Sequence, residues 1–427
     1  MTHATVFLII DAGRFDYVSE SSMPFLHRLS RDAVTGSFES PPGFAQRTVM
    51  FSGQYPDTSG NFSQFVFDPD GSPFRWVRGL GPVGNLVRPR KLMFPARMAI
   101  QRITKWRTGA FHTDPAWIPP RFLPFFAMCE DMRPIYEPGA LRATSIFDLC
   151  RAHGLNFRYL AHPVSGDDDE VHDLLVRDLR AGAPYDLYVA QFSVTDQQGH
   201  KHGPHAAAMR DGFLRRLDRR LASIHAALGA GYDSWDLFVC GDHGMGQVER
   251  RVDLLHALRK CHARPAKDYV VFVNSTLAVF WYLTDAGRRE VEAVLPTIPG
   301  TRVLPDDERR HLRIPMDRRW GDRMLAADRG VLFWPDYFHV KDSVIRGMHG
   351  YLDKADETHG MMALLSSDGL AGPKDVGRRP LVDVFPTLCA LLAVPTPDGQ
   401  EGHSLLGDVV RERPGLRVAA APPKARP

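Results

Sequence analysis

Short apolar runs of strand length recur along this chain, and several stop abruptly at aspartate, histidine or glycine. The first, Thr5-Val6-Phe7-Leu8-Ile9-Ile10, is followed at once by Asp11. An unbroken apolar run of this length, rich in β-branched residues, predicts a strand buried on both faces. Leu187 to Phe192 leads in the same way into Ser193-Val194-Thr195-Asp196-Gln197-Gln198-Gly199-His200. Leu237-Phe238-Val239-Cys240 leads through Gly241 into Asp242-His243-Gly244-Met245. In open α/β sheets the ligand crevice lies outside the carboxyl ends of the strands. Three strand ends therefore direct carboxylate and imidazole side chains toward one crevice.

The rest of the pattern divides the chain. Residues 1–266 are predicted to form the first part of an α/β core, and residues 338–413 its second part. Between them, 267–337 reads as a small α+β subdomain: strands at Tyr269–Val273 and Thr276–Leu283, a helix over Ala286–Val294, then a less regular stretch containing Arg323 to Asp328. Within the first part, about 70–140 reads as a specificity insert. There, from Arg97 to Arg107, Met98, Ile103 and Trp106 recur at mixed helical spacing among basic residues, which predicts an amphipathic helix with a basic face. Such a helix could rest on an anionic membrane, receive an anionic substrate or cap the site, so residues 88–107 carry an expectation of peripheral membrane contact. Gly79-Leu80-Gly81-Pro82 lacks the strand-to-helix setting that nucleotide-binding glycine loops need. The Pro-, Ala- and Arg-rich end, 414–427, reads as a disordered tail.

Six residues carry the candidate chemistry: Asp11, Asp196, His200, Asp242, His243 and His349. Mixed carboxylate and imidazole donors suit two divalent metal ions, zinc first, with manganese or iron as alternatives. Any one of these residues alone would be an ordinary cap or loop residue; the joint pattern carries the inference.

With those motifs in place, the chain resembles the alkaline phosphatase superfamily, in its type I phosphodiesterase and nucleotide pyrophosphatase branch. The matching segments are Ile9 to Arg14, Met23 to Leu29, Ser52 to Gly60, Thr195 to Pro204, Gly241 to Met245 and Gly347 to Tyr351, with Leu381 to Leu388 and Gly402 to Leu406 near the end. The resemblance implies a three-layer αβα sandwich around a mainly parallel sheet. It also implies one metal on Asp196, His200 and His349 and another on Asp11, Asp242 and His243. His359, in Thr358-His359-Gly360-Met361, is the alternative to His349, with a polar residue at the mouth of the next strand as the plainer reading.

One position departs from the pattern. Where the family carries its Thr or Ser nucleophile, nine residues before Ser52, this chain has Gly43. Glycine offers no side chain to attack phosphorus. By the same resemblance Gln46 falls where the phosphodiesterases hold phosphoryl oxygens with an amide, and Arg47 where sulfatases carry an arginine. Four explanations stand open: a shifted alignment that uses Ser40 or Thr48, attack by a metal-activated water, attack by a substrate hydroxyl in a phosphoryl or sulfuryl transferase, or an engineered or inactive, metal-binding protein.

Composition narrows the setting. At 427 residues, 44% hydrophobic and 24% charged, the chain can bury a sizeable core. A net charge of only +3 gives no reason to expect nucleic acid as a partner. The five cysteines lie mostly in apolar contexts and read as reduced thiols. Met1-Thr2-His3-Ala4 runs straight into the first strand, so no signal peptide is expected. The expectation is thus a cytoplasmic hydrolase acting on a small-molecule phosphodiester, nucleotide-linked or lipid-linked and biosynthetic in role.

Overall fold

The computed structural model describes residues 2–80, 90–111, 113–129, 133–339, 343–353, 355–370 and 375–407. Arg88, Gly81, Pro82 and the tail from 408 lie outside them. The main sheet has seven strands: β1 (His3–Ile10), β2 (Val34–Glu39), β3 (Phe157–Leu160), β4 (Leu187–Phe192), β5 (Ser234–Gly241), β6 (Gly360–Ser366) and β7 (Asp375–Pro380), in the order β7-β2-β6-β5-β1-β4-β3. β1 runs parallel to β4 and β5, β4 to β3, and β2 to β7, while β6 is antiparallel to both its neighbours.

The sheet is covered on both faces, as its continuous apolar strands require. Alternate residues of β1 enter different cores. Ala4, Val6, Leu8 and Ile10 pack with helices Asp168–Arg180 and Arg215–Gly231, whereas Phe7 and Ile9 pack with helices Gln46–Ser52, Ile146–Ala152 and Val384–Leu391. Each of the fully buried larger side chains, Val6 to Ile10, contributes roughly 1.5–3 kcal/mol. This is the expected three-layer αβα arrangement.

A second, four-stranded antiparallel sheet runs in the order Tyr269–Val273, Leu277–Tyr282, Arg323–Ala327, Thr301–Val303. Here the structure corrects the sequence reading, since Arg323–Ala327 is a regular strand. Met324 to Ala327 are buried between neighbouring strands, and that packing overrides the weak β-propensity of two alanines.

The segment near 70–140 packs onto this second sheet. Strand Phe65–Phe67 pairs with Phe126–Met128, and Phe67 stacks on Trp281 at 5.2 Å between ring centroids. Its helix, Arg90–Thr108, is longer than the spacing predicts and turns differently: Ile100 and Thr104 are buried, while Ile103 and Trp106 face outward. Among the described residues no helix is long and apolar enough to cross a membrane.

Candidate metal centre

Strand register delivers the ligand candidates to one edge. Ile10 pairs with Phe192 of β4 on one side and Gly241 of β5 on the other, so Asp11 and Asp242 leave the sheet at the same level. The antiparallel β6 brings its beginning to that edge, with Gly360 so close to the Gly241 carbonyl that a Cβ would overlap it. His349 arrives separately. It follows Gly347–Met348, which pairs antiparallel with Gly246–Gln247, three residues beyond His243.

Asp196 is not on a strand end. It sits in the first turn of helix Val194–His202, whose start is held by Asp168 accepting from the Ser193 and Val194 amides at 2.9 Å each. One turn on, His200 lies over it, with Nε2 3.1 Å from Asp196 Oδ1. His200 Nδ1 lies 2.8 Å from the Gly347 carbonyl, which ties this helix to the segment bearing His349 and leaves Nε2 facing the centre.

Two three-residue groups result, Asp11–Asp242–His243 and Asp196–His243–His349, the donor atoms of each lying within 4.8 Å of one another. His243 belongs to both. Its Nε2 is 3.4 Å from Asp11 Oδ1 and 3.8 Å from Asp242 Oδ2, and its ring stacks on His349 at 3.9 Å. His349 Nε2 is 3.5 Å from Asp196 Oδ1. His200 contacts Asp196 from outside these two compact groups. His359 is buried just before β6 and is in neither.

The oxygens not aimed at the centre are already engaged. Asp242 Oδ1 accepts from the Ala12 and His243 amides at 3.1 and 3.0 Å, and Asp11 Oδ2 accepts from Gln191 Nε2 at 3.0 Å. Asp196 Oδ1, by contrast, is buried without a well-formed hydrogen bond. Three carboxylates gathered in a buried pocket are costly unless a cation compensates them. Burial, aided by the Asp11 and Asp196 charges, pushes Asp242 up to about 7 despite His243. Burial would lower His243, but Asp242 and Asp11 outweigh it and raise it to about 10. Burial would raise Asp196, yet His200, His349 and His243 hold it below the usual carboxylate range. Burial and the neighbouring His243 push His349 well down, toward the neutral form that binds metal. A buried donor set of three carboxylates and three imidazoles, gathered within a few ångströms, fits divalent cations.

The segment from Ser40 to Thr48 is built differently. Gly43 has φ +99°, a region that L side chains rarely adopt, and a Cβ there would overlap the Phe62 carbonyl oxygen. The Phe44 amide donates to that same oxygen at 2.9 Å. Glycine at 43 is thus required by the backbone path. Gln46 Nε2 donates to the Gly43 carbonyl at 2.9 Å, bracing the loop. Thr48 is buried within helix Gln46–Ser52, its Oγ1 accepting from Asn61 Nδ2 at 2.9 Å, away from the cleft described next. Arg47 is half-buried and does not line the cleft described next. Ser40 does line it, and its hydroxyl donates to the Asp242 carbonyl.

That cleft, about 310 Å³, opens from His243 and His349 between Ser40, Gln46, Tyr55 and Tyr351. Arg313 forms part of its wall, stacked 4.4 Å over Tyr55 and paired with Asp57 at 2.6 Å and Glu401 at 2.5 Å. One group was missed by the sequence reading. Asp336 accepts from Ser275 Oγ at 2.6 Å and pairs with His339 Nδ1 at 2.7 Å, and the His339 ring lies edge-on to His200 at 5.3 Å. The Asp-x-x-His spacing of Asp336 and His339 was the available signal, though it follows no long apolar run.

Comparison with known proteins agrees with this fold. The structures of murine and human ectonucleotide pyrophosphatase/phosphodiesterase 5 superpose with TM-scores of 0.64 and 0.66 at 17% and 16% identity. They cover 92% and 93% of this chain and 96% and 97% of their own. An inactive variant of the murine protein, with threonine replaced by alanine and in complex with AMP, matches at a TM-score of 0.64 and 17% identity over 92% of this chain and 96% of its own. No curated protein sequence matches. The family model described as type I phosphodiesterase/nucleotide pyrophosphatase matches residues 5–352, most of the chain. The chain therefore belongs to the type I phosphodiesterase/nucleotide pyrophosphatase family, metal-dependent hydrolases of phosphodiester and diphosphate bonds within the alkaline phosphatase superfamily.

Proposed function

We propose that this protein hydrolyses a small-molecule phosphodiester or diphosphate at a centre for two divalent cations, zinc by preference, and that water displaces the leaving group without a side-chain nucleophile. The observation that carries this reading is a pair of carboxylate–imidazole groups sharing His243, beside a glycine whose backbone leaves no room for a Cβ. When bound, such cations neutralise the phosphoryl oxygens and acidify water. Asp11, Asp242 and His243 would hold one, and Asp196, His243 and His349 the other, with His200 orienting Asp196. Manganese or iron would suit the same donors.

The remaining residues bind and orient. Gln46, fixed at the cleft by the Gly43 carbonyl, has a further amide N–H for a phosphoryl oxygen. Tyr55 and Tyr351 wall a space sized for a nucleoside or a comparable small group. The AMP held by the murine relative's variant supports a nucleotide-linked substrate here. A lipid-linked one would present the same phosphorus chemistry.

A second reading keeps a serine nucleophile at Ser40, favoured by its position on the cleft and its bond to the Asp242 carbonyl. One experiment separates the two: hydrolysis of bis(p-nitrophenyl) phosphate by zinc-loaded protein and by Ser40→Ala, with mass spectrometry for a phosphorylated enzyme. Direct attack by water predicts activity within about ten-fold of the parent and no adduct. A serine nucleophile predicts a loss of about a thousand-fold or more and an adduct in the parent. Failure of zinc to confer any turnover would leave a binding protein, and transfer to an added alcohol would indicate a transferase.

A further inference from the structure

Exposed apolar side chains are unevenly spread over the described surface. Of seven large ones, Phe94, Ile103, Trp106 and Phe111 lie within 18 residues of chain, and Trp106 is 83% exposed. Three of them belong to helix Arg90–Thr108, which carries six basic residues and no acidic one. Its inner side is fully used. Ile100 and Thr104 are buried, Thr104 Oγ1 accepts from Trp76 Nε1 at 3.2 Å, and Arg97 pairs with Asp114 while lying 4.9 Å over the Trp117 ring.

The outer side has the opposite character. With 3.6 residues per turn, Arg102, Trp106 and Ile103 share an arc of about 100°, flanked on either side by Lys105 and Arg107. All five are exposed. An indole ringed by cations, on a helix whose described contacts lie on its opposite side, matches the chemistry of a membrane interface, where the ring sits at headgroup level and cations meet lipid phosphates. The same charge opposes a second copy of this chain as occupant, because a two-fold contact would set this basic face against itself.

We propose that the outward face of helix Arg90–Thr108 docks the protein on an anionic phospholipid surface, with Trp106 and Ile103 as apolar anchors and Arg102, Lys105 and Arg107 as headgroup contacts. The inference does not rest on the reading of the metal centre. Its test is co-sedimentation of the whole protein with vesicles of phosphatidylserine and phosphatidylcholine, against phosphatidylcholine alone. Binding to the mixed vesicles only, weakened by added salt, is the expected result. Replacing Arg102, Lys105 and Arg107 together by glutamine should weaken it about a hundred-fold, and Trp106→Ala about ten-fold. Unchanged circular-dichroism spectra and thermal melts would show that the variants remain folded. Equal binding to both vesicle types, no binding to either, or binding indifferent to salt would overturn the proposal. So would a dimer in light scattering that Trp106→Ala dissociates in the absence of lipid.

Discussion

The sheet edge carrying Asp11, Asp242 and His243 and the segment from Ser40 to Gln46 line one cleft region, yet they contribute by different means. At the edge, strand register fixes where side chains emerge, and each carboxylate is held by backbone or side-chain donors on its far oxygen. In the segment, the backbone itself is the constraint: Gly43 follows a left-handed path against the Phe62 carbonyl, and Gln46 is tied to the Gly43 carbonyl. An edge that gathers carboxylates and imidazoles thus stands beside a loop whose path admits only glycine at position 43. Gly43 is then a conformational requirement of this loop, not an isolated loss.

The most forceful test removes the shared ligand. His243→Ala should lower kcat/KM by at least about a thousand-fold and empty both cation positions in elemental analysis, since one imidazole serves both groups. His200→Ala should cost about ten- to a hundred-fold, because in the proposed arrangement His200 orients Asp196 and holds no cation itself. Equal losses in the two variants would make His200 a full ligand and restore the partition that the family resemblance implies.

The next test acts on the other half of the comparison. Gly43→Thr puts a hydroxyl where the sequence resemblance expects one, and it should lose stability with no gain in activity. A positive φ costs about 1–3 kcal/mol for a residue with a Cβ, and forcing that Cβ past a backbone carbonyl adds about as much again. A denaturant midpoint lowered by about 3 kcal/mol equivalent is expected. A stable Gly43→Thr protein with raised turnover would show that the loop can rebuild around a nucleophile.

Much of the ligand edge was legible because apolar runs end at Asp11 and Asp242, and a period-free apolar run specifies both a buried strand and where it stops. Asp196 and His200 were legible by their spacing of four, although the helix that uses it was not read. What stayed hidden depends on contacts between distant segments. The role of His243 in both groups follows from the pairing of Gly246–Gln247 with Gly347–Met348, and nothing local encodes that ladder. Asp336, Ser275 and His339 meet through a buried turn between two sheets. The outward turn of Trp106 is set by which side of its helix finds Trp76 and Trp117, so helical spacing alone could not orient it.

Proton linkage sharpens the electrostatic side of the comparison. In the metal-free protein Asp242 is raised from 3.8 to about 7 and His243 from 6.5 to about 10. Folded pKa values above the unfolded ones give stability that is present at low pH. It is lost as pH rises, between 3.8 and about 7 for Asp242 and between 6.5 and about 10 for His243. Cation binding requires both groups deprotonated, so bound metal should stabilise progressively more from pH 6 to pH 9, by about 1.4 kcal/mol per pH unit for each proton displaced. Thermal melts of zinc-loaded and chelated protein across that range should diverge as pH rises; curves that stay parallel would mean that these two groups do not carry the cations.

The smallest expected effect concerns Thr48, the one hydroxyl of helix Gln46–Ser52 that a shifted alignment would offer as nucleophile. It is buried and accepts from Asn61 Nδ2 at 2.9 Å, so Thr48→Ala removes a buried acceptor and should cost about 1–2 kcal/mol of stability. Its kcat should stay within about two-fold of the parent's, because the hydroxyl faces the helix's packed side and does not line the cleft. A large fall in kcat at unchanged stability would require the helix to unwind toward the cations during turnover. The Ser40–Gln46 loop would then be a mobile element, in direct conflict with a backbone fixed by the Phe62 carbonyl.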